Sequence, residues 1–202
     1  MPSPNPDLHG NAPDSCRVAL LLVDVINPLD FPEADQLLRF ARPAAERLKA
    51  LKERARAAGV PVIYANDNFG RWRSDLAAVV ERVLAPGCKG RPLAELLRPG
   101  PEDYFVLKPK HSAFFSTTLE TLLRYLGVET LVIGGFAGNI CVLFTANDAY
   151  LRDLKVVVPA DVVASNTAEE NAAALDQMRR LLKCDTRPAA EIDLDALKAG
   201  RS

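Results

Sequence analysis

Five short, almost wholly apolar runs punctuate this chain, and stretches of helical period fill the gaps between them. The first, RVALLLVDV at 17–25, is nearly continuous in apolar residues, as a strand buried on both faces requires. VPVIYAN (60–66), DYFVLKP (103–109), ETLVIGGF (129–136) and LKVVVPAD (154–161) repeat the pattern. Between them, leucines, alanines and charges recur at helical spacing from 32 to 58 and stop before Gly59. SDLAAVVERVL follows a capping Ser74, and TTLETLLRYLG has a threonine cap and a glycine stop. NICVLFTANDAYLRD reads as a further helix. NTAEENAAALDQMRRLLK opens on a capping Asn166 or Thr167 and closes in basic residues that suit the helix dipole. The Pro- and Gly-rich segment 85–103 reads as loop with one turn of helix, and the tail 184–202 offers a short last strand. Alternation of this kind predicts an α/β fold in three layers, α/β/α, around a mainly parallel sheet of about six strands. One domain is expected over 16–202, behind a flexible, proline-rich arm over 1–15.

The bulk numbers narrow the function classes. The chain has 202 residues, 49% of them hydrophobic and 25% charged, which suits a globular protein. A net charge of -1 gives no electrostatic footprint for nucleic acid or an acidic membrane surface. The N-terminal stretch has no basic and apolar signal pattern, so a cytoplasmic location is expected. Four widely spaced cysteines without a CxxC pair read as reduced thiols, and two histidines leave little for a metal site or Cys-His catalysis. No GxGxxG follows the first strand, which weakens a dinucleotide reading.

Ligands of such sheets bind beyond the carboxyl ends of the strands. Three strand ends carry reactive groups: Asp24, Lys108 and Cys141. Taken singly, each has a structural account as a helix cap, a solvated strand end or a small core residue. Taken together they share one functional edge. A thiol in the first turn of a helix, with Asn139 as its cap, sees the positive end of the dipole and backbone N–H groups, both of which favour thiolate. Asp24 is placed to receive the thiol proton and Lys108 to hold Asp24 ionised. Around them Asn66, Asp67, Phe31 and Trp72 are candidate substrate contacts, and Arg71 and Arg73 could recruit a carboxylate, with turn, core or solvated roles as the alternatives. His111 reads as a loop residue and Lys110 as a lesser competitor of Lys108.

ALLLVDVIN, VLKPKHSAFFSTTLETLL and GGFAGNICVLFTANDAYLRDLKVVVPAD, in this order, resemble the three motifs of the isochorismatase-like cysteine hydrolases, which include nicotinamidases and carbamoylsarcosine amidohydrolases. The resemblance covers about 18–161. It implies a Rossmann-like, isochorismatase-like hydrolase fold and hydrolysis of a C–N bond in a small amide, carbamoyl or imide-like substrate, through an acyl-thioester on Cys141. It further implies catalytic roles for Asp24, Lys108 and Cys141, a cis peptide at Phe136–Ala137 and an oxyanion hole from the N–H groups of Ala137 and Cys141. Ser112, Ala113 and Phe114 match the second motif, and Phe114 joins the candidate substrate contacts. Nicotinamidases carry an Asp-x-His metal cluster, but YANDNFGRWRSD here has no histidine, so no metal and no cofactor are expected. Expected partners are a small-molecule substrate and further copies of this chain in a homo-oligomer, with neither nucleic acid nor membrane. Ile26 stands where the family commonly has Gln, and Gly138-Asn139 where Thr-Asp is usual. Those departures leave open a binding protein that keeps the fold without the chemistry.

Overall fold

The computed structural model describes residues 15–73 and 75–200. Up to residue 14 the N-terminal arm lies outside the described residues, as does Ser74. β1 (Val18–Val23), β2 (Val62–Asp67), β3 (Tyr104–Lys108), β4 (Thr130–Phe136), β5 (Lys155–Val157) and β6 (Val163–Ala164) form one sheet in which each pairing is parallel. The order is β3-β2-β1-β4-β5, and β6 continues along β4, pairing Gly135 with Val163 and Phe136 with Ala164. The sixth strand is therefore this two-residue element, not the tail. The tail adds a single bridge, in which Val158 N donates to Asp185 O at 2.8 Å.

Two-residue periodicity sorts the core onto both faces of the sheet. From β1, Val18, Leu20 and Leu22 pack with α1 (Ala34–Ala57), α2 (Leu76–Leu84), α3 (Arg91–Leu96) and Leu194 of α7 (Leu194–Lys198). Ala19, Leu21 and Val23 point the other way, into α4 (Leu119–Leu126), α5 (Leu143–Tyr150) and α6 (Ala168–Leu181). Every residue of β1 and β4 is buried, which explains why these runs are apolar throughout instead of alternating. Helix ends follow local chemistry. Asp75 caps α2 by accepting from Ala78 N at 2.8 Å, taking the role expected of Ser74. Thr167 caps α6 by accepting from Glu170 N at 3.1 Å, and Gly127 ends α4 in the left-handed region at φ 72°. Among the described residues, no helix is long and apolar enough to cross a membrane.

Candidate active site

Parallel register brings the strand ends to one level. Val23 pairs with Ala65 on one side and Gly135 on the other, while Asp67 pairs with Lys108. Asp24 follows directly, in the left-handed region at φ 51°, and is 4% exposed. That backbone turn aims its carboxylate across β2. Oδ1 accepts from Asp67 N at 2.7 Å, and Oδ2 lies 2.8 Å from Lys108 Nζ. Lys108 is fully buried; its ammonium also donates to Lys110 O at 3.0 Å and stands 3.7 Å from both Asp67 Oδ2 and Cys141 Sγ. Thus an acid, an ammonium and a thiol from three strands meet within contact distance.

Electrostatics tie the three together. Burial raises the pKa of Asp24 above the usual carboxylate range, against Lys108 and a hydrogen bond from the Cys141 thiol. For Cys141, burial first and the charge of Asp24 second push the thiol up to about 12, with Lys108 opposing. Burial works to lower Lys108, but Asp24, Cys141 and Asp67 outweigh it, so its pKa is raised and the ammonium stays charged. The resting sulfur is accordingly a thiol, with the Lys108 ammonium 3.7 Å away. A thiolate held by a helix start was the expectation; desolvation and a neighbouring carboxylate overcome the dipole.

Local geometry after β4 also departs from a simple capped helix. The Phe136–Ala137 peptide is cis, and 138–142 form a single π turn leading into α5. Val142 N bonds Ala137 O at 3.1 Å, closing that wider turn, and Ile140 N shares the same carbonyl at 3.2 Å. Ala137 is the N-cap, in extended conformation. Asn139 lies inside the turn and is not its cap: its N–H donates to Ser165 Oγ at 3.0 Å, and its Oδ1 is buried without a hydrogen-bond partner among the described residues. Ser165 in turn donates to Asn171 Oδ1 at 3.0 Å, so β6 and α6 brace the turn that carries Cys141. Gly138 leaves room for Asn171, because a Cβ there would meet Asn171 Oδ1 at 2.4 Å and push that amide aside. Gly135, at φ 131°, would drive a Cβ to 2.0 Å from Val23 O.

A profile of the isochorismatase domain matches residues 18–187, which is most of the chain. The chain belongs to the isochorismatase family. An uncharacterized isochorismatase family protein, YaaI of Bacillus subtilis (strain 168), is 42% identical over 164 residues, covering 81% of this chain and 90% of that protein. The ureidoacrylate amidohydrolase RutB of Methylorubrum extorquens is 32% identical over 139 residues, 59% of this chain and 56% of RutB, so the chain spans little more than half of that relative. Among solved structures, the N-carbamoylsarcosine amidase of Thermoplasma acidophilum superposes with a TM-score of 0.67 at 28% identity, covering 88% of this chain and 99% of that one.

Within this isochorismatase-family scaffold the remaining candidates divide. Asp67 lines the site: Lys108 faces its Oδ2, while its Oδ1 accepts from Phe69 N at 2.6 Å. Asn66 is fully buried and spends its amide on Ile26, accepting from Ile26 N at 3.1 Å and donating to Ile26 O at 2.8 Å. It braces the segment after Asp24, and no polar end is left to face a substrate. Phe114 is 6% exposed, packed in the core with the Arg152 guanidinium 4.7 Å above its ring, so it serves packing too. Phe31 packs partly buried on the α1 side. Trp72 is 79% exposed and lines a cavity of about 550 Å³ with Arg71, Arg73 and Arg82. Lys110 is exposed and meets the site only through its carbonyl. His111, read from the sequence as a loop residue, is exposed in a bend, and the structure adds that its Nδ1 stands 3.8 Å from Cys141 Sγ. Its position between Lys108 and the Ser-Ala-Phe segment was the available signal. Among the described residues, no group of three or more His, Cys, Asp or Glu is placed to hold a metal ion.

Proposed function

We propose that this protein is a cysteine hydrolase that cleaves the C–N bond of a small amide, carbamoyl or imide-like substrate through an acyl-thioester on Cys141. The observation that carries this reading is the mutual contact of Asp24, Lys108 and Cys141 at one sheet edge. As sulfur attacks the carbonyl carbon, the thiol proton passes to Asp24, whose raised proton affinity matches it to that task. The backbone N–H groups of Ala137 and Cys141 would receive the developing oxyanion. Lys108 remains cationic, offsetting the negative charge that moves between sulfur, carboxylate and oxyanion. Asp24 then returns its proton to the leaving nitrogen, the C–N bond breaks, and ammonia or an amine departs. Water next gives a proton to Asp24 and its hydroxyl to the thioester carbon; collapse releases the acid, and the sulfur regains its proton from Asp24. The amidohydrolase RutB and the N-carbamoylsarcosine amidase support C–N bonds as the substrate class.

Screening primary amides, carbamoyl compounds and imides for ammonia release tests the proposal. Cys141→Ala is expected to abolish turnover of whichever substrate responds while leaving the fold intact by circular dichroism. Undiminished turnover in that variant would refute the thioester route.

A further inference from the structure

The loop that follows Lys108 is clamped on both sides of His111. Before it, Lys110 O accepts from the Lys108 ammonium at 3.0 Å. After it, Ser112 Oγ donates to Asp148 Oδ2, and Ala113 N donates to Thr145 Oγ1 at 3.0 Å. Thr145 Oγ1 donates to Cys141 O at 2.7 Å, so the histidine loop and the thiol turn hang on one hydroxyl. The imidazole itself leans on the Phe144 ring, with centroids 5.6 Å apart and planes tilted by 50°. Phe144 is 52% exposed, and His111 is exposed as well. Cys141 Sγ therefore lies between two different groups. Asp24, buried, is on the inner side; His111 is on the side open to water.

That placement matters for the proton. Asp24 is enclosed, and it already accepts from Asp67 N and from Lys108. A proton that reaches it passes on only inside the site, to sulfur or to the leaving nitrogen. His111 has no such restriction, because one ring nitrogen faces sulfur and the ring meets solvent. Resting on the cysteine-hydrolase reading, we infer that His111 is a second proton carrier for Cys141, which exchanges the thiol proton with bulk water on the outer side of the site. In the step, the S–H bond breaks, Nδ1 gains that proton, and Nε2 releases its own to water; the reverse sequence restores the thiol. The charged groups on the elements around this loop are Lys108 and Lys110 on the same segment, Asp24 and Asp67 across the sulfur, and Asp148 on α5 with Arg152 just beyond its end. Any titration read at the sulfur is measured against all six.

Alkylation by iodoacetamide, followed at the Cys141 peptide by mass spectrometry across about pH 5 to pH 9, reads this exchange without any substrate. Wild-type protein is expected to gain reactivity as pH rises across this interval. His111→Gln, which keeps a polar side chain but carries no titrating proton, should flatten that rise and slow labelling near neutrality by about tenfold. Phe144→Leu keeps the imidazole and should preserve the rise. Coincident profiles for wild type and His111→Gln would overturn the inference and leave the hydrolase reading standing. A wild-type Cys141 that resists alkylation throughout would overturn the inference, while the hydrolase reading is decided separately by ammonia release from the screened amides. Because His111 is exposed, the Gln variant is expected to unfold with the wild-type midpoint, and a lowered midpoint with an unaltered pH profile also counts against the inference.

Discussion

Asp24 acts on the sulfur in two opposed ways. Its negative charge, after burial, is the second cause that lifts the Cys141 thiol to about 12, yet its carboxylate is also the base proposed to take that proton during attack. Asp24→Asn separates the two effects. The amide keeps much of the shape but carries no charge, which leaves Lys108, at 3.7 Å from sulfur, opposed only by the smaller effect of Asp67. The thiol pKa should therefore fall, seen as thiolate absorbance appearing at lower pH than in wild type. Turnover should nevertheless drop by about 10²- to 10⁴-fold, since no group remains to carry the proton to the leaving nitrogen. An easier ionisation with a slower reaction is the diagnostic pair. Turnover retained in Asp24→Asn would mean that Asp24 serves Lys108 and not the reaction.

The turn between β4 and α5 is the element on which the site depends, and its shape is set by what surrounds it more than by its own residues. Gly138 makes room for Asn171 Oδ1, and Asn171 accepts from Ser165, which in turn accepts from Asn139 N. Gly138→Ala would force that amide away, costing about 1–3 kcal/mol of stability through overpacking and loosening the brace on Cys141. Asn171→Ala in the same chain removes the clashing oxygen, so the double variant should recover part of the stability lost in Gly138→Ala. A double-mutant cycle of urea unfolding measures this coupling, and strict additivity would show that the two sites are independent. Such dependence also explains which parts were legible in the sequence. Asp24, Lys108 and Cys141 each end a strand or follow one, and parallel register leaves little choice about where they meet. Asn139, by contrast, has the composition of a cap but sits in a π turn, a consequence of backbone pairing to Ala137 O and Ser165 that no local pattern encodes. His111 and Asn66 were obscured for a related reason. Their roles depend on residues 30 and 40 positions away, His111 meeting Cys141 and Asn66 meeting Ile26.

At the scale of the whole molecule, the three layers follow from strands too apolar to leave either face in water. The two-residue β6 is the exception, because a strand that short has no period to read. One polar residue sits inside the α1 layer at a cost that pH can expose. Lys52 is 4% exposed; its ammonium donates to Tyr64 OH at 3.2 Å on β2 and to Arg98 O at 3.0 Å, linking α1 to its neighbours without an ion pair among the described residues. Burial first and the charge of Arg56 second lower it from 10.5 to about 8. The folded protein thus binds fewer protons than the unfolded chain between about pH 8 and pH 10.5. Over that window stability attributable to Lys52 rises with pH, and below about 8 the full penalty of burying the charge is present. The gap corresponds to at most about 3 kcal/mol. The thiols of half-buried Cys141 and buried Cys184, both pushed up to about 12, work in the opposite direction at alkaline pH. They are common to wild type and Lys52→Met, so a comparison of the two cancels them. Urea unfolding at about pH 7 and about pH 10 should accordingly show the wild type gaining about 2–3 kcal/mol on Lys52→Met as pH rises. Parallel stability curves would mean that Lys52 keeps its proton in the fold, with Tyr64 and Arg98 O compensating the charge in full.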